Sequence, residues 1–153
     1  MRFSRRALLA AAVTIPVAGT ILRPALAQEP VIFAPDGIAL GGYDVVAYFS
    51  EGRPVLGSEE FEIMWHGAMW RFASAEALME FEMNPAAFAP QYGGYCAYAV
   101  SKGGIASSMP WAFMVLDGKL YLNRSLEALS LWREDLEANI AHADSHWPAV
   151  IGR

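Results

Sequence analysis

The fold is decided by one segment, Glu60-Phe61-Glu62-Ile63-Met64-Trp65-His66-Gly67-Ala68-Met69-Trp70-Arg71-Phe72. From Phe61 to Trp65, apolar residues alternate with a glutamate and a methionine. That alternation is the period of a half-buried strand with a largely acidic, solvated face. His66-Gly67 is typical of a hairpin tip, and the return arm again carries two aromatic residues on one side. The segment therefore predicts an antiparallel hairpin.

A helix is predicted directly after this hairpin. Ser74 is a suitable N-cap, because its hydroxyl can accept a hydrogen bond from an amide of the first helical turn. Asn84-Pro85 ends the helix, since proline disfavours helical geometry in the residue before it. The residues expected on its buried side are Leu78, Phe81 and, less regularly, Met79 and Met83.

The segments before the hairpin give weaker signals. Val31-Ile32-Phe33 predicts a short strand within an extended lead-in, residues 28–42. Residues 43–49 are apolar and short, and periodicity alone leaves a strand and a short helix equally open.

A second hairpin and a long helix are predicted towards the C-terminus. Residues 113–116 and 119–122 are two strands around Asp117-Gly118, a dipeptide of tight hairpin turns. The helix that follows is capped near Asn123 or Ser125 and stopped by Pro148. We therefore predict an α+β fold: a small antiparallel sheet of hairpins with two or three helices and a long C-terminal helix.

Residues 1–27 have the layout of a cleaved export signal. Ser4-Arg5-Arg6 precedes an apolar run from Ala7 to Leu22, and Ala25-Leu26-Ala27 follows as a cleavage site. The run is shorter than the ~20 residues of a membrane-spanning helix, so we expect no stable membrane anchor after cleavage. The arginine pair resembles a twin-arginine signal, with a general secretion signal as the alternative. We expect a periplasmic protein whose residues 28–153 form a single domain.

The charge balance excludes one class of partner. Removal of residues 1–27 takes away four of the 11 basic residues and none of the 16 acidic ones, which changes the net charge from −5 to about −9. A chain this acidic repels phosphate groups, so we expect no nucleic acid partner.

The densest cluster of unusual residues is Gln91-Tyr92-Gly93-Gly94-Tyr95-Cys96-Ala97-Tyr98-Ala99-Val100, which contains the only cysteine. Cys96, Ala99 and Val100 recur at the spacing of one helix face, so a short helix starting near Gly94 would turn all three inward. Cys96 would then be its second or third residue, where free amides stabilise a thiolate. Two interpretations stay open: a lone reactive or metal-binding sulfur, and a small buried side chain.

Four residues are candidate metal ligands: Cys96, His66, His142 and His146. His142 and His146 are four residues apart on the predicted last helix, a spacing that places two imidazoles on one face and can hold Zn²⁺ or Cu²⁺. The alternative for this pair is two half-exposed surface histidines, and for His66 a turn residue. A hydrolase is disfavoured, because the chain has no nucleophile-elbow pattern.

Six segments have the order and spacing of a known family. They are Gly42–Phe49, Trp65–Ser74, Asn84-Pro85, Ala89–Ala97, Asp117–Asn123 and Ala143–Pro148. Together they resemble the YHS-domain family, and more narrowly its small exported bacterial branch, some of whose members carry selenocysteine. The resemblance implies a small α+β module that handles a transition metal ion such as copper, zinc or iron. Metal-associated relatives carry cysteines beside the helix, whereas residues 72–77 of this chain contain none.

Our leading hypothesis is an exported metal-binding or metal-handling accessory protein without turnover of its own, working with a metal or redox partner protein in the periplasm. One alternative is a thiol-dependent redox protein in which Cys96 is the catalytic residue. Because the chain has no second cysteine, such a protein would need an external reductant. The other alternative is a non-catalytic interaction module whose aromatic residues form its core.

Overall fold

A computed structural model of the chain describes residues 28–153, which form an α+β fold with two antiparallel hairpins and six α-helices. The predicted fold class is confirmed, although each hairpin forms its own two-stranded sheet. The export signal predicted for residues 1–27 lies outside the described residues. Within residues 28–153, no helix is both long enough and apolar enough to cross a bilayer.

The first hairpin is the predicted one. It consists of β1 (Ser58–Trp65) and β2 (Ala68–Phe72), paired so that Ile63 lies opposite Trp70. His66 and Gly67 form the tip with positive φ angles of 48° and 79°. The outer face of β1 is exposed, as its glutamates predicted. The inner face packs into a core, because alternate side chains of a strand point to opposite sides.

The helix after the hairpin is also confirmed, with one error in its buried face. It is α2 (Ala75–Met83), and the hydroxyl of Ser74 accepts a hydrogen bond from the Ala77 amide at 3.2 Å. Phe81 is fully buried and stacks on Trp70 with ring centroids 5.1 Å apart. The prediction that Met79 and Met83 pack inward is wrong: they are 55% and 80% exposed. A short helix, α3 (Pro85–Phe88), follows.

The N-terminal region differs from its prediction. Val31–Phe33 is not a strand: it is an irregular strap that buries Ile32 in the core and is held by the Phe33 amide, which donates to the Gly93 carbonyl at 2.9 Å. The residues that follow do not continue in an extended conformation. They form two short 3₁₀ helices, at residues 35–37 and 39–42. The ambiguous segment 43–49 ends in a short helix, α1 (Ala47–Ser50).

The second hairpin joins the two halves of the core. It pairs β3 (Met109–Leu116) with β4 (Lys119–Asn123) around the predicted Asp117-Gly118 turn. Leu120 and Leu122 enter the core under the first hairpin, whereas Tyr121 between them enters a second core under the C-terminal helices. Both faces of β4 are therefore buried at its centre, which explains why Leu120, Tyr121 and Leu122 form a continuous apolar run rather than an alternating one.

Three helices complete the fold: α4 (Ala97–Ser101), α5 (Leu126–Glu134) and α6 (Leu136–His146). The predicted C-terminal helix is present but is interrupted at Asp135, whose φ and ψ of −147° and 76° are not helical. Asp135 accepts a hydrogen bond from the Ala138 amide and so caps α6. Ser125, rather than Asn123, caps α5.

Candidate functional site

Cys96 is fully buried at the start of α4. It is the N-cap of the helix, not the predicted second or third helical residue, because the helix starts at Ala97. Its Sγ accepts a hydrogen bond from the Ala99 amide at 3.5 Å, and its thiol donates to Asn123 Oδ1 at 3.7 Å. The thiol therefore fills the place that a serine or aspartate hydroxyl or carboxylate usually takes at a helix start.

A cleft of about 560 Å³ lies beside the buried Cys96. We call it the thiol cleft; it is lined by Cys96, Tyr98, Lys102 and Arg124 among others. The Lys102 ammonium lies 4.8 Å from the centre of the Tyr98 ring and also donates to Asn139 Oδ1 at 3.2 Å. No histidine lines this cleft, so it offers no imidazole to a metal ion bound by Cys96.

Asn123 is the residue of this site that the sequence did not reveal. It is fully buried, and its Oδ1 accepts hydrogen bonds from both the Tyr98 amide and the Cys96 thiol. Its Nδ2 has no hydrogen-bond partner within residues 28–153. An asparagine at a strand end usually indicates a turn or a cap, and no sequence signal distinguished this buried side chain from that role.

His66 lies in the exposed turn at the tip of the first hairpin. Its imidazole packs against the Trp65 ring with centroids 4.0 Å apart. It lines a different cleft from Cys96, so the structure does not bring these two candidate ligands together.

His142 and His146 lie on α6, one turn apart, as the sequence predicted. His142 is exposed, whereas His146 is half-buried and its Nδ1 lies 2.9 Å from the carbonyl oxygen of Val100. A carbonyl only accepts hydrogen bonds, so Nδ1 carries the proton and donates it. In the neutral imidazole, Nε2 then holds the lone pair that a metal ion needs.

The four candidate ligands do not form one site. Across residues 28–153, no group of three or more histidine, cysteine, aspartate or glutamate side chains is arranged to hold a metal ion. Of the four candidates, His142 and His146 are the two that can bind the same metal ion. They are neighbours on the surface of α6, because residues four apart on a helix lie next to each other. Such a pair leaves the other coordination positions of a metal ion to water or to a partner.

Comparison with known proteins gives no relative: no family model, no curated protein and no solved structure matches the chain. The likeness to the YHS-domain family therefore stays a prediction from the sequence motifs.

Proposed function

We propose that the protein is an exported accessory protein that binds a transition metal ion through His142 and His146 and has no turnover of its own. The hydrogen bond from His146 Nδ1 to the Val100 carbonyl carries this proposal. Histidines that bind metals usually donate their second ring nitrogen to a carbonyl or carboxylate, which fixes the tautomer and orients the ring. His146 has this arrangement before any metal is bound.

The two histidines differ in a way that suits a metal ion held only temporarily. His146 is held by α4 through Val100, whereas His142 is exposed to solvent, where a metal ion can reach it. Two imidazole ligands suit Zn²⁺, Cu²⁺ and Fe²⁺. Since two ligands leave the coordination sphere open, a partner protein can supply the remaining ligands and take the ion. This openness supports a handling role rather than a structural metal site.

The test is metal binding to the purified chain, measured by calorimetry with Zn²⁺ and Cu²⁺ and by mass spectrometry of the bound ion. We expect one ion per chain, and an affinity at least about tenfold lower in His142→Ala, a difference of about 1.4 kcal/mol. His142→Ala is the cleaner variant, because no hydrogen bond of the His142 side chain is lost. His66→Ala is the matched control and should bind as the parent does.

Two results would contradict this proposal. One is a parent chain that binds neither ion; the other is binding that persists unchanged in the His142→Ala/His146→Ala double variant. Nitrogen-15 NMR of the metal-free chain supplies an independent check, since it distinguishes the two imidazole tautomers. A His146 ring protonated at Nε2 rather than Nδ1 would remove the observation on which the proposal rests.

A second candidate function is favoured by one observation, the position of Cys96 in a cleft with Lys102 and Arg124. Basic side chains near a cysteine are a common feature of reactive thiols, which attack peroxides and disulfides. The full burial of Cys96 opposes this function, because the reagent must reach the sulfur. Alkylation of Cys96 by iodoacetamide decides between a redox role and a packing role. A redox role requires that Cys96 is modified in the folded chain, whereas a packing role requires that it is modified only after the chain unfolds.

A further inference from the structure

Segments far apart in the sequence meet at a second cleft, of about 580 Å³, that lies between the tip of the first hairpin, residues 90–93 and the end of α6. It is lined by residues of three sequence motifs, Trp65–Ser74, Ala89–Ala97 and Ala143–Pro148. None of these lining residues belongs to the proposed metal site. We call it the indole cleft. Its defining side chains are Trp65, His66, Gln91, Tyr92, Asp144 and Trp147.

One carboxylate dominates the charge of the indole cleft. Among residues 28–153, Asp144 is the only aspartate, glutamate, lysine or arginine that lines it. The hydroxyl of Tyr92 donates to Asp144 Oδ1 at 2.8 Å and holds the carboxylate in place. No lysine or arginine of residues 28–153 forms an ion pair with Asp144. The cleft therefore presents a negative charge that is hydrogen-bonded by Tyr92 but is not neutralised by a basic side chain of residues 28–153.

Aromatic rings form the walls around this carboxylate. Trp65 and Trp147 both line the cleft and are half-buried. The Tyr92 ring packs edge-to-face against the Trp147 ring, with ring centroids 6.1 Å apart and an interplanar angle of 64°. Burial and the neighbouring Asp144 raise the pKa of Tyr92 well above its usual range, so its hydroxyl remains a hydrogen-bond donor. The faces of indole rings are electron-rich and attract cations.

We propose that the indole cleft binds a small organic cation that carries an alkylated ammonium group. The charge of Asp144 selects a cation, and the indoles favour one whose surface is apolar, because alkylated ammonium groups shed water readily against aromatic rings. The volume falls within the range of small-molecule sites, about 300–1,000 Å³. The thiol cleft provides a contrast within the same molecule, since its charged side chains, Lys102, Arg124 and Glu127, give it a net positive charge that disfavours such a ligand.

This site is separate from the proposed metal site, although both use α6. Each residue advances about 100° around a helix, so Asp144 lies on the opposite side from His142 and His146, while Trp147 lies on the side of Asp144. The two proposals can therefore fail independently. Binding of the organic cation is measured in the presence of a chelator, which removes any contribution from a metal ion.

The experiment uses choline as the probe and, as its matched control, the uncharged isostere in which a tert-butyl group replaces the trimethylammonium group. The indole N–H signals of the purified chain are followed by NMR during each titration. We expect choline to shift the signals of Trp65 and Trp147 saturably and to leave that of the fully buried Trp132 unchanged. The uncharged isostere should give no saturable shift. Equal binding of both compounds, or no saturable shift with choline, overturns the proposal.

A pair of variants tests the role of the carboxylate. Asp144→Asn keeps an oxygen that accepts the Tyr92 hydrogen bond but removes the charge, and it should weaken choline binding at least about threefold. Asp135→Asn removes the same charge elsewhere on the surface and keeps an N-cap of equal quality, so it should bind choline as the parent does. The same affinity in both variants would overturn the assignment of Asp144 as the recognising charge.

Discussion

The carboxylate of Asp44 lies 2.8 Å from the backbone amide of Ala73 and joins the first helix to the end of the first hairpin. Its other oxygen accepts hydrogen bonds from the amides of Val46 and Ala47, at 2.8 and 3.3 Å. Burial raises the pKa of Asp44, and the three amides act in the opposite direction. One buried side chain thus satisfies three backbone donors that no other group reaches.

Replacement of Asp44 should therefore be strongly destabilising. Asp44→Ala leaves two buried N–H groups and one partly buried N–H group without this acceptor, and we expect the free energy of unfolding to fall by about 3 kcal/mol or more. Asp44→Asn should lose less, because its amide oxygen can still accept. Urea denaturation measures both. Glu60→Ala is the control: it removes an exposed carboxylate and should change stability by less than about 0.5 kcal/mol. A loss no larger in Asp44→Ala than in this control would contradict the assignment.

Two glycines with similar backbone angles should respond differently to the same substitution. Gly93 and Gly41 have φ angles of 62° and 66°, so alanine strains both by about 1 kcal/mol. At Gly93 a Cβ would also overlap the carbonyl oxygen of Val31, whereas at Gly41 the space is open. We expect Gly41→Ala to fold with a small loss, and Gly93→Ala to lose at least about 3 kcal/mol or to fail to fold. Equal losses, measured by urea denaturation, would contradict the close approach of the Val31–Phe33 strap.

The helix caps predict two smaller and independent effects. Ser74 and Ser125 each accept one amide hydrogen bond, at 3.2 and 3.0 Å, at the starts of α2 and α5. Their replacement by alanine should cost about 1 kcal/mol each and should be additive in the double variant. Ser130→Ala, at an exposed position inside α5, is the control and should be neutral or slightly stabilising. Thermal unfolding gives the comparison, and a neutral Ser74→Ala would contradict the cap.

Stability should fall in alkaline solution because of buried tyrosines. Burial raises the pKa of Tyr48 above its usual value of about 10, and burial likewise raises the pKa values of Tyr92, Tyr95 and Tyr121. The unfolded chain therefore loses these protons first. The stabilising contribution of the buried protonated tyrosines is fully present below about pH 10 and is lost as the pH rises further. For each tyrosine, the free energy of unfolding falls by up to about 1.4 kcal/mol per pH unit.

Urea denaturation between neutral pH and the alkaline range tests this dependence. Tyr48→Phe should be less stable at neutral pH, since it loses the hydrogen bond to the Pro110 carbonyl at 3.1 Å. Its stability should nevertheless decline less steeply above pH 10, because one group no longer titrates. Parallel declines in the parent and in Tyr48→Phe would show that Tyr48 is not responsible.

Local patterns predicted the two hairpins and the start and end of α2. The alternation around Ile63, the Asp117-Gly118 turn, the Ser74 cap and the Asn84-Pro85 stop act over a few residues, so their effects can be read without the rest of the chain. The interruption at Asp135 had a local signal as well, because aspartate is a good N-cap. The apolar periodicity that runs across it concealed this signal.

Other features depend on residues distant in the sequence. Asn139 donates to the carbonyls of Leu131 and Trp132 and so stabilises the corner between α5 and α6. Met79 and Met83 are exposed because α2 buries only a narrow stripe of its surface. Phe81 is the fully buried residue of that stripe, and the two methionines lie outside it. Neither the corner nor the narrow face can be deduced from local periodicity, since each is set by what packs against it.

The sequence by itself determined the α+β class, the hairpins, most of the caps and the presence of one thiol with no second cysteine. These follow from short-range geometry and from composition. Only the tertiary structure decided that Cys96 is an N-cap beside the buried Asn123, that His66 lies apart from it, and that His146 is held by Val100. Each of the two contacts joins residues between 25 and 50 positions apart in the sequence. The packing of the two cores around β4 brings these residues together, and it also places His66 and Cys96 in different clefts.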